Sequence, residues 1–209
     1  MALVSFLPDN PELSRDRDKN SLYPFSHFNA ETRRLSPLYM IAAVGRNMEL
    51  GKSGQLIWPI RADLKHFKEL TIGHPVIMGR ATWESLPKRP LPGRTNVVVT
   101  SDGAYEAPGA LVAPSLPDAL AACVGGEGPF VIGGATLYAA ALPFATEIYL
   151  TEIDAADPDA DCFFPELPPE DWELAQLGEE HPAAEGMPPY RFCIYVRRES
   201  ESYEGGYSK

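Results

Sequence analysis

Pro75-Val76-Ile77-Met78-Gly79-Arg80-Ala81-Thr82-Trp83-Glu84-Ser85-Leu86 is the stretch that decides the fold. Its first part is a short apolar run, the signature of a strand buried on both faces. Its second part reads as a short helix stopped by Pro87, since proline cannot continue a helix. A strand that turns at a glycine into a helix is the building unit of α/β sheets. Backbone N–H groups point outward at such a junction and favour an anion, and Arg80 adds a guanidinium suited to phosphate. Downstream the arrangement recurs. Phe130-Val131-Ile132 reads as a strand, Gly133-Gly134 turns it, and residues 135–142 read as a helix. Neither junction matches the GxGxxG or the P-loop pattern, so a Rossmann fingerprint and a nucleotide triphosphatase site are unsupported. Two junctions in one small domain instead raise the prospect of a dinucleotide whose phosphates bridge them.

Around these two units the chain alternates. Residues 38–44 are a continuous apolar run, residues 96–100 a β-branched strand, and residues 115–122 a helix. Residues 147–153 form a further strand. Residues 172–176 and 190–197 read as an antiparallel pair, with Phe192, Ile194 and Val196 alternating with their neighbours. The expected architecture is an α/β domain with a mainly parallel sheet closed by an antiparallel edge. Residues 1–36, with a mixed-charge run at 14–21 and several prolines, read as a flexible extension. Residues 37–199 read as the folded domain, and 200–209 as a disordered tail.

At 209 residues and 44% hydrophobic content the chain suits one domain with a sizeable core. A formal net charge of −11 argues against a general nucleic-acid or anionic-membrane binder. The three cysteines, Cys123, Cys162 and Cys193, form no CxxC pair and no cluster with histidine. They are expected to be reduced thiols in a cytoplasmic protein, with no zinc or other metal site. No apolar run reaches membrane-spanning length, and the N-terminus does not read as a signal peptide.

Between the first strand and the opening stretch lies Leu56-Ile57-Trp58-Pro59-Ile60-Arg61-Ala62-Asp63-Leu64-Lys65-His66-Phe67. If residues 61–71 form a helix, Asp63 and Phe67 lie side by side one turn apart. Leu64 and Leu70 continue the apolar stripe. A carboxylate among Trp, Phe and Leu is poorly solvated, and so needs a hydrogen-bonding partner or keeps its proton. That suits a site holding a heterocycle that carries donors and accepts a proton. The alternative is a carboxylate that only complements the positive end of its helix.

Taken in order, these residues resemble dihydrofolate reductase. The ordered set includes 41–43, Trp58, 62–64, Phe67, 75–80, 82–85, 91–96, 131–134, Tyr138, 149–151 and 164–165. The resemblance implies a three-layer fold, with helices flanking a mostly parallel sheet that has an antiparallel C-terminal edge strand. It implies hydride transfer from NADPH to 7,8-dihydrofolate, with a proton added at N5. Asp63 would orient the pterin and act through an ordered water, which Trp58 would hold. Thr151 would share a hydrogen bond with Asp63, and Tyr138 would sit near nicotinamide and substrate. Ile41, Leu64, Phe67, Leu86, Leu91 and Ile132 would line the substrate slot, and Arg94 would clamp the glutamate α-carboxylate. On the cofactor side, Arg80 and Ser101 would hold the 2′-phosphate and Thr82 the pyrophosphate. Ala43 would meet the carboxamide. Gly79, Ala81, Gly133, Gly134, Ala135, Thr136 and Leu137 would complete the cofactor wall, with a cis Gly133-Gly134 peptide. Antifolate inhibitors would compete for the slot. Apart from the resemblance, a monomer is expected because no second long apolar face is left to bury, and the acidic balance predicts no nucleic-acid or membrane partner.

Some positions depart from the family pattern. Ile57 stands where many bacterial members have proline, Leu56 where they have methionine, and Pro59 follows the tryptophan as in vertebrate members. These changes fall in the loop over the site, residues 45–58, and bear on its closure. Thr136 replaces a basic residue. Two other readings stay open: the NADPH-dependent pyrimidine reductase of riboflavin synthesis, and a non-catalytic folate- or NADPH-binding paralogue. The combination of Trp58, Asp63 and Arg94 speaks against the first, and an assay separates the second.

Overall fold

The structure is a computed structural model that describes residues 37–123, 127–184 and 186–199. The expected extension at 1–36 and tail at 200–209 lie outside these residues.

The first strand, β1 (Tyr39–Val44), runs through the middle of an eight-stranded sheet. It pairs in parallel with β7 (Phe130–Val131) on one side and β8 (Glu147–Ile153) on the other. Beyond β7 come β4 (Val76–Gly79), β5 (Asn96–Val99) and β6 (Leu111–Ala113), all parallel. On the other side β11 (Tyr190–Arg197) pairs antiparallel with β8, and β10 (Trp172–Leu177) pairs antiparallel with β11 at the edge. The order is β10-β11-β8-β1-β7-β4-β5-β6. The sheet is therefore mostly parallel, with its antiparallel pairings at the C-terminal side.

The central strands are covered on both faces, which explains their unbroken apolar runs. Met40, Ile77, Val97, Val131 and Ile148 sit in one buried cluster, and Ile41, Val76, Met78, Trp83 and Val98 in another. β11 is the antiparallel strand expected, and its burial does not follow the alternation of its sequence. Phe192, Ile194 and Val196 do not form a buried face; the fully covered side chain is Cys193, and Tyr195 packs on the larger core. Most of β11 is of intermediate exposure on both faces, so no strict inside–outside alternation follows from its sequence.

Among the described residues four α-helices connect the strands: α1 (Arg61–Thr71), α2 (Arg80–Ser85), α3 (Leu116–Ala121) and α4 (Ala135–Ala141). α1 begins just after Pro59 and contains no glycine or proline. It ends where Ile72 turns extended and Gly73 takes a positive φ of 85°. α3 is capped by Ser115, whose hydroxyl accepts from the Asp118 N–H. α4 stops one residue short of the expected end and passes into a 3₁₀ turn, Leu142–Phe144, that accommodates Pro143.

A second, three-stranded sheet comprises β2 (Glu49–Lys52), β3 (Gln55–Leu56) and β9 (Cys162–Phe163) in the order β3-β2-β9. Residues 45–58, expected as a plain loop, therefore contain a hairpin. Lys52 faces Gln55 across a two-residue turn, Ser53-Gly54, in which both φ values are positive at 50° and 75°. Among the described residues no helix is long and apolar enough to cross a membrane.

Candidate active site

α1 turns the side chains of Asp63, Phe67, Leu70 and Thr71 towards the sheet, as 100° per residue requires. Leu64 lies at the margin of this face and is 45% exposed, so it borders the stripe rather than continuing it. Opposite Asp63, β8 presents Thr151. The Thr151 hydroxyl donates to the Asp63 carboxylate at 2.6 Å. Burial pushes the Asp63 carboxyl above its ordinary value, and the Thr151 hydrogen bond and nearby His66 offset part of that. This wall therefore holds a proton more readily than an exposed aspartate does.

The surroundings of Asp63 are aromatic. Phe192 stands directly across the β8–β11 ladder from Thr151, and the His66 ring lies 4.0 Å from the Phe192 ring between centroids. Trp58 and Ala43 pack with Phe192 in a small cluster around Ile60, Ile153 and Tyr190. Gly45 makes room for Trp58. A Cβ there would come within 2.5 Å of both the indole and the Glu49 carboxylate.

Ile41, Phe67, Leu86, Leu91 and Ile132 share one apolar cluster with Trp83. At its margin sits Arg94, whose Nη1 donates to the Thr71 hydroxyl at 2.9 Å and whose Nε donates to the Pro92 carbonyl at 3.2 Å. Thr71 is fully buried and donates onward to the Phe67 carbonyl at 2.6 Å, while the Arg94 guanidinium lies 5.7 Å from the Phe67 ring centre. Burial pulls the Arg94 guanidinium below its ordinary value. A cation held this way, with no carboxylate in salt-bridge reach among the described residues, is ready for an external anion.

Next to these walls opens a cavity of about 640 Å³, within the range of small-molecule sites. It is lined from β4 and α2 by Gly79, Arg80, Ala81 and Thr82. From the β7–α4 connection come Ile132, Gly133, Gly134, Ala135, Thr136, Leu137 and Tyr138. The β2–β3 hairpin contributes Leu50, Gly51, Gly54, Gln55 and Leu56. The Gly133-Gly134 peptide is cis. At Gly133, with φ at 136°, a Cβ would meet the Thr82 hydroxyl at 2.9 Å. The Gly79 N–H donates to the Gly133 carbonyl at 2.8 Å, so the two strand–helix junctions touch. Tyr138 links the cavity to the carboxylate wall. Its buried hydroxyl donates to the Ile41 carbonyl at 2.7 Å, and burial, with a smaller contribution from Asp63, pushes its pKa up. Ser101 is exposed and stands apart from this lining.

A sequence model of the family described as dihydrofolate reductase matches residues 37–197. This chain belongs to the dihydrofolate reductase family. It is 42% identical over 158 residues to the dihydrofolate reductase of Neisseria meningitidis serogroup A, covering 76% of this chain and 96% of that one. To dihydrofolate reductase type 3 of Salmonella typhimurium it is 46% identical over 144 residues, covering 69% and 87%. Its fold superposes with a TM-score of 0.72 on a dihydrofolate reductase from Enterococcus faecalis complexed with NADP(H) and RAB-propyl. That structure is 35% identical, and the match covers 79% of this chain and 98% of that one. As a member of the dihydrofolate reductase family, the chain is an oxidoreductase.

Three residues that build the site were given no role in the sequence reading. Thr71 holds Arg94, and its position one turn after Phe67 on the buried face was the available signal. Asn96 is 3% exposed and ties the Arg94 turn. Its carboxamide accepts from the Leu91 N–H and donates to the Leu91 and Arg94 carbonyls, each at 2.9 Å. Asp102 pairs with Arg80 at 3.1 Å. Nothing in the local sequence marks that contact.

Proposed function

We propose that the chain reduces 7,8-dihydrofolate to 5,6,7,8-tetrahydrofolate with NADPH, and so supports one-carbon and thymidylate metabolism. The observation that carries this reading is the half-buried carboxylate of Asp63, held by the Thr151 hydroxyl in an apolar aromatic wall. A pterin offers that carboxylate a 2-amino group and a ring nitrogen as donors. Asp63 orients the ring and, through water, promotes protonation at N5; its raised pKa suits the second role. Thr151 fixes the carboxylate, and Trp58 and Phe192 keep bulk water off it. Ile41, Leu64, Phe67, Leu86, Leu91 and Ile132 flank the ring and its benzoyl extension. Arg94 takes the α-carboxylate at the far end.

The residues of the second wall fit a dinucleotide. The missing Cβ atoms at Gly133 and Gly134 open the backbone beside Thr82, and Arg80 lines the same cavity. Thr82 and the 133–134 backbone would hold the pyrophosphate. Arg80 and Ser101 would take the 2′-phosphate, with Ala81, Ala135, Thr136 and Leu137 along the cofactor. Ala43 and Tyr138 would border the nicotinamide. When bound, NADPH supplies the hydride. The NADP(H) complex of the Enterococcus relative supports this assignment. Three unpaired thiols fit a cytoplasmic protein, and a monomer is the proposed state, which size-exclusion chromatography tests.

The deciding experiment follows the loss of NADPH absorbance on adding 7,8-dihydrofolate, with methotrexate or trimethoprim as control. Inhibitable turnover is expected. Asp63→Asn should still bind methotrexate while losing most turnover at neutral pH, and near-normal activity would remove Asp63 from the mechanism. Tight methotrexate binding by the unaltered chain without turnover would identify a binding paralogue instead.

A further inference from the structure

Arg80 is not a bare cation. Its Nε donates to Glu84 at 2.9 Å, one turn along α2, and its Nη1 donates to Asp102 at 3.1 Å. The guanidinium also lies 4.6 Å from the Tyr105 ring centre. Asp102 is held in place in turn. Its N–H donates to the Thr100 hydroxyl, and its second carboxylate oxygen accepts the Ala104 N–H at 3.1 Å.

These contacts matter because of how guanidinium captures phosphate. Bidentate capture uses two parallel N–H groups on one edge of the fork. Glu84 occupies the Nε side, which leaves the Nη edge, and Asp102 sits on that edge. A dianionic 2′-phosphate must displace the Asp102 carboxylate and then remain beside it. A ribose bearing a free 2′-hydroxyl meets no such conflict, since a hydroxyl can donate to a carboxylate. Dinucleotide sites elsewhere divide these two tasks: an acidic residue takes the 2′-hydroxyl and an arginine takes the 2′-phosphate. This chain places both groups in one contact.

We propose that Asp102 is a specificity-determining residue that narrows the preference for NADPH over NADH by competing with the 2′-phosphate for Arg80. The inference rests on the proposed assignment of Arg80 to that phosphate. Because the pair is exposed, the effect is moderate, about three- to tenfold in relative kcat/KM.

The test measures kcat/KM for NADPH and for NADH at saturating dihydrofolate, in the unaltered chain and in Asp102→Asn, Asp102→Ser and Arg80→Gln. Asn keeps an acceptor for the Ala104 N–H, so the turn survives, and Ser serves as a shorter second variant. Both Asp102 variants are expected to raise the NADPH-to-NADH ratio about three- to tenfold, through a lower KM for NADPH. An unchanged or smaller ratio in both, with Arg80→Gln abolishing the preference, overturns the role of Asp102 alone. An Arg80→Gln variant that keeps the full preference rejects Arg80 as the phosphate contact, and the role of Asp102 falls with it.

Discussion

Asn96→Ala is the substitution that tests most directly how the substrate anchor is built. The Asn96 carboxamide makes three hydrogen bonds at 2.9 Å, all to the backbone of the turn that carries Leu91 and Arg94. The residue is 3% exposed, so water does not readily replace those bonds. At about 1 kcal/mol for each bond, the loss should be about 3 kcal/mol of folding stability. For a chain of this size that corresponds to a fall of about 6–12 °C in Tm. Urea unfolding should show the loss as a lower midpoint with an unchanged slope. The same change frees the turn that positions Arg94. If one charge-assisted bond to substrate weakens by about 1.4 kcal/mol, KM for dihydrofolate rises about tenfold. KM for NADPH should stay within about twofold, because the turn lies outside the cofactor wall. A stability loss below about 1 kcal/mol, or equal increases in both KM values, would refute this account of the anchor.

Asp63→Asn should raise thermal stability near neutral pH while it removes activity. Burial places the folded-state pKa of Asp63 above its unfolded value of 3.8. Between those two values the folded chain binds more proton than the unfolded one, so stability falls as pH rises through that window, and the penalty is complete above it. The gain from Asn should therefore shrink as pH is lowered towards 4, and a variant less stable than the parent at pH 7 would contradict the sign. Gly133→Ala should raise KM for NADPH at least about tenfold and cost about 2 kcal/mol, because its methyl meets the Thr82 hydroxyl at 2.9 Å and its φ is 136°. Normal cofactor affinity in that variant would show that the junction does not need glycine. Burial pushes the Cys123 and Cys193 thiols up to about 11, whereas Cys162 is half-buried and lines the cavity. A thiol reagent at pH 8 should label Cys162 first, and more slowly with NADPH present. Equal rates at all three thiols would contradict this.

Periodicity carried the reading wherever burial is one-sided or complete. The apolar runs at β1, β4 and β8 and the stripe of α1 were legible for that reason. Asp63 stood out because a carboxylate on an apolar face has few bland explanations. The β2–β3 hairpin was missed although Ser53-Gly54 is a turn pair, because Glu49-Leu50-Gly51-Lys52 offers no apolar run and its partner β9 lies more than 100 residues away. Thr71 and Asp102 act through partners 23 and 22 residues distant, which only the folded chain brings together. Asn96 shows a different limit. Its partners are local, but an asparagine at the start of a β-branched strand does not announce which way its amide faces.

The hairpin that borders the cavity is tethered to the aspartate-rich loop before β9. The Lys52 amine sits 2.9 Å from Asp159, and the Ser53 N–H donates to Asp161 at 2.8 Å. Both contacts are exposed, so each contributes little to folding, and neither touches the core or the carboxylate wall. Charge changes at Lys52, Asp159 or Asp161 are therefore nearly silent for folding, yet they alter how firmly one border of the cavity is held. Heritable variation thus has an adjustable element here. A lineage can loosen or tighten that border one surface charge at a time, while the carboxylate wall behind it stays untouched.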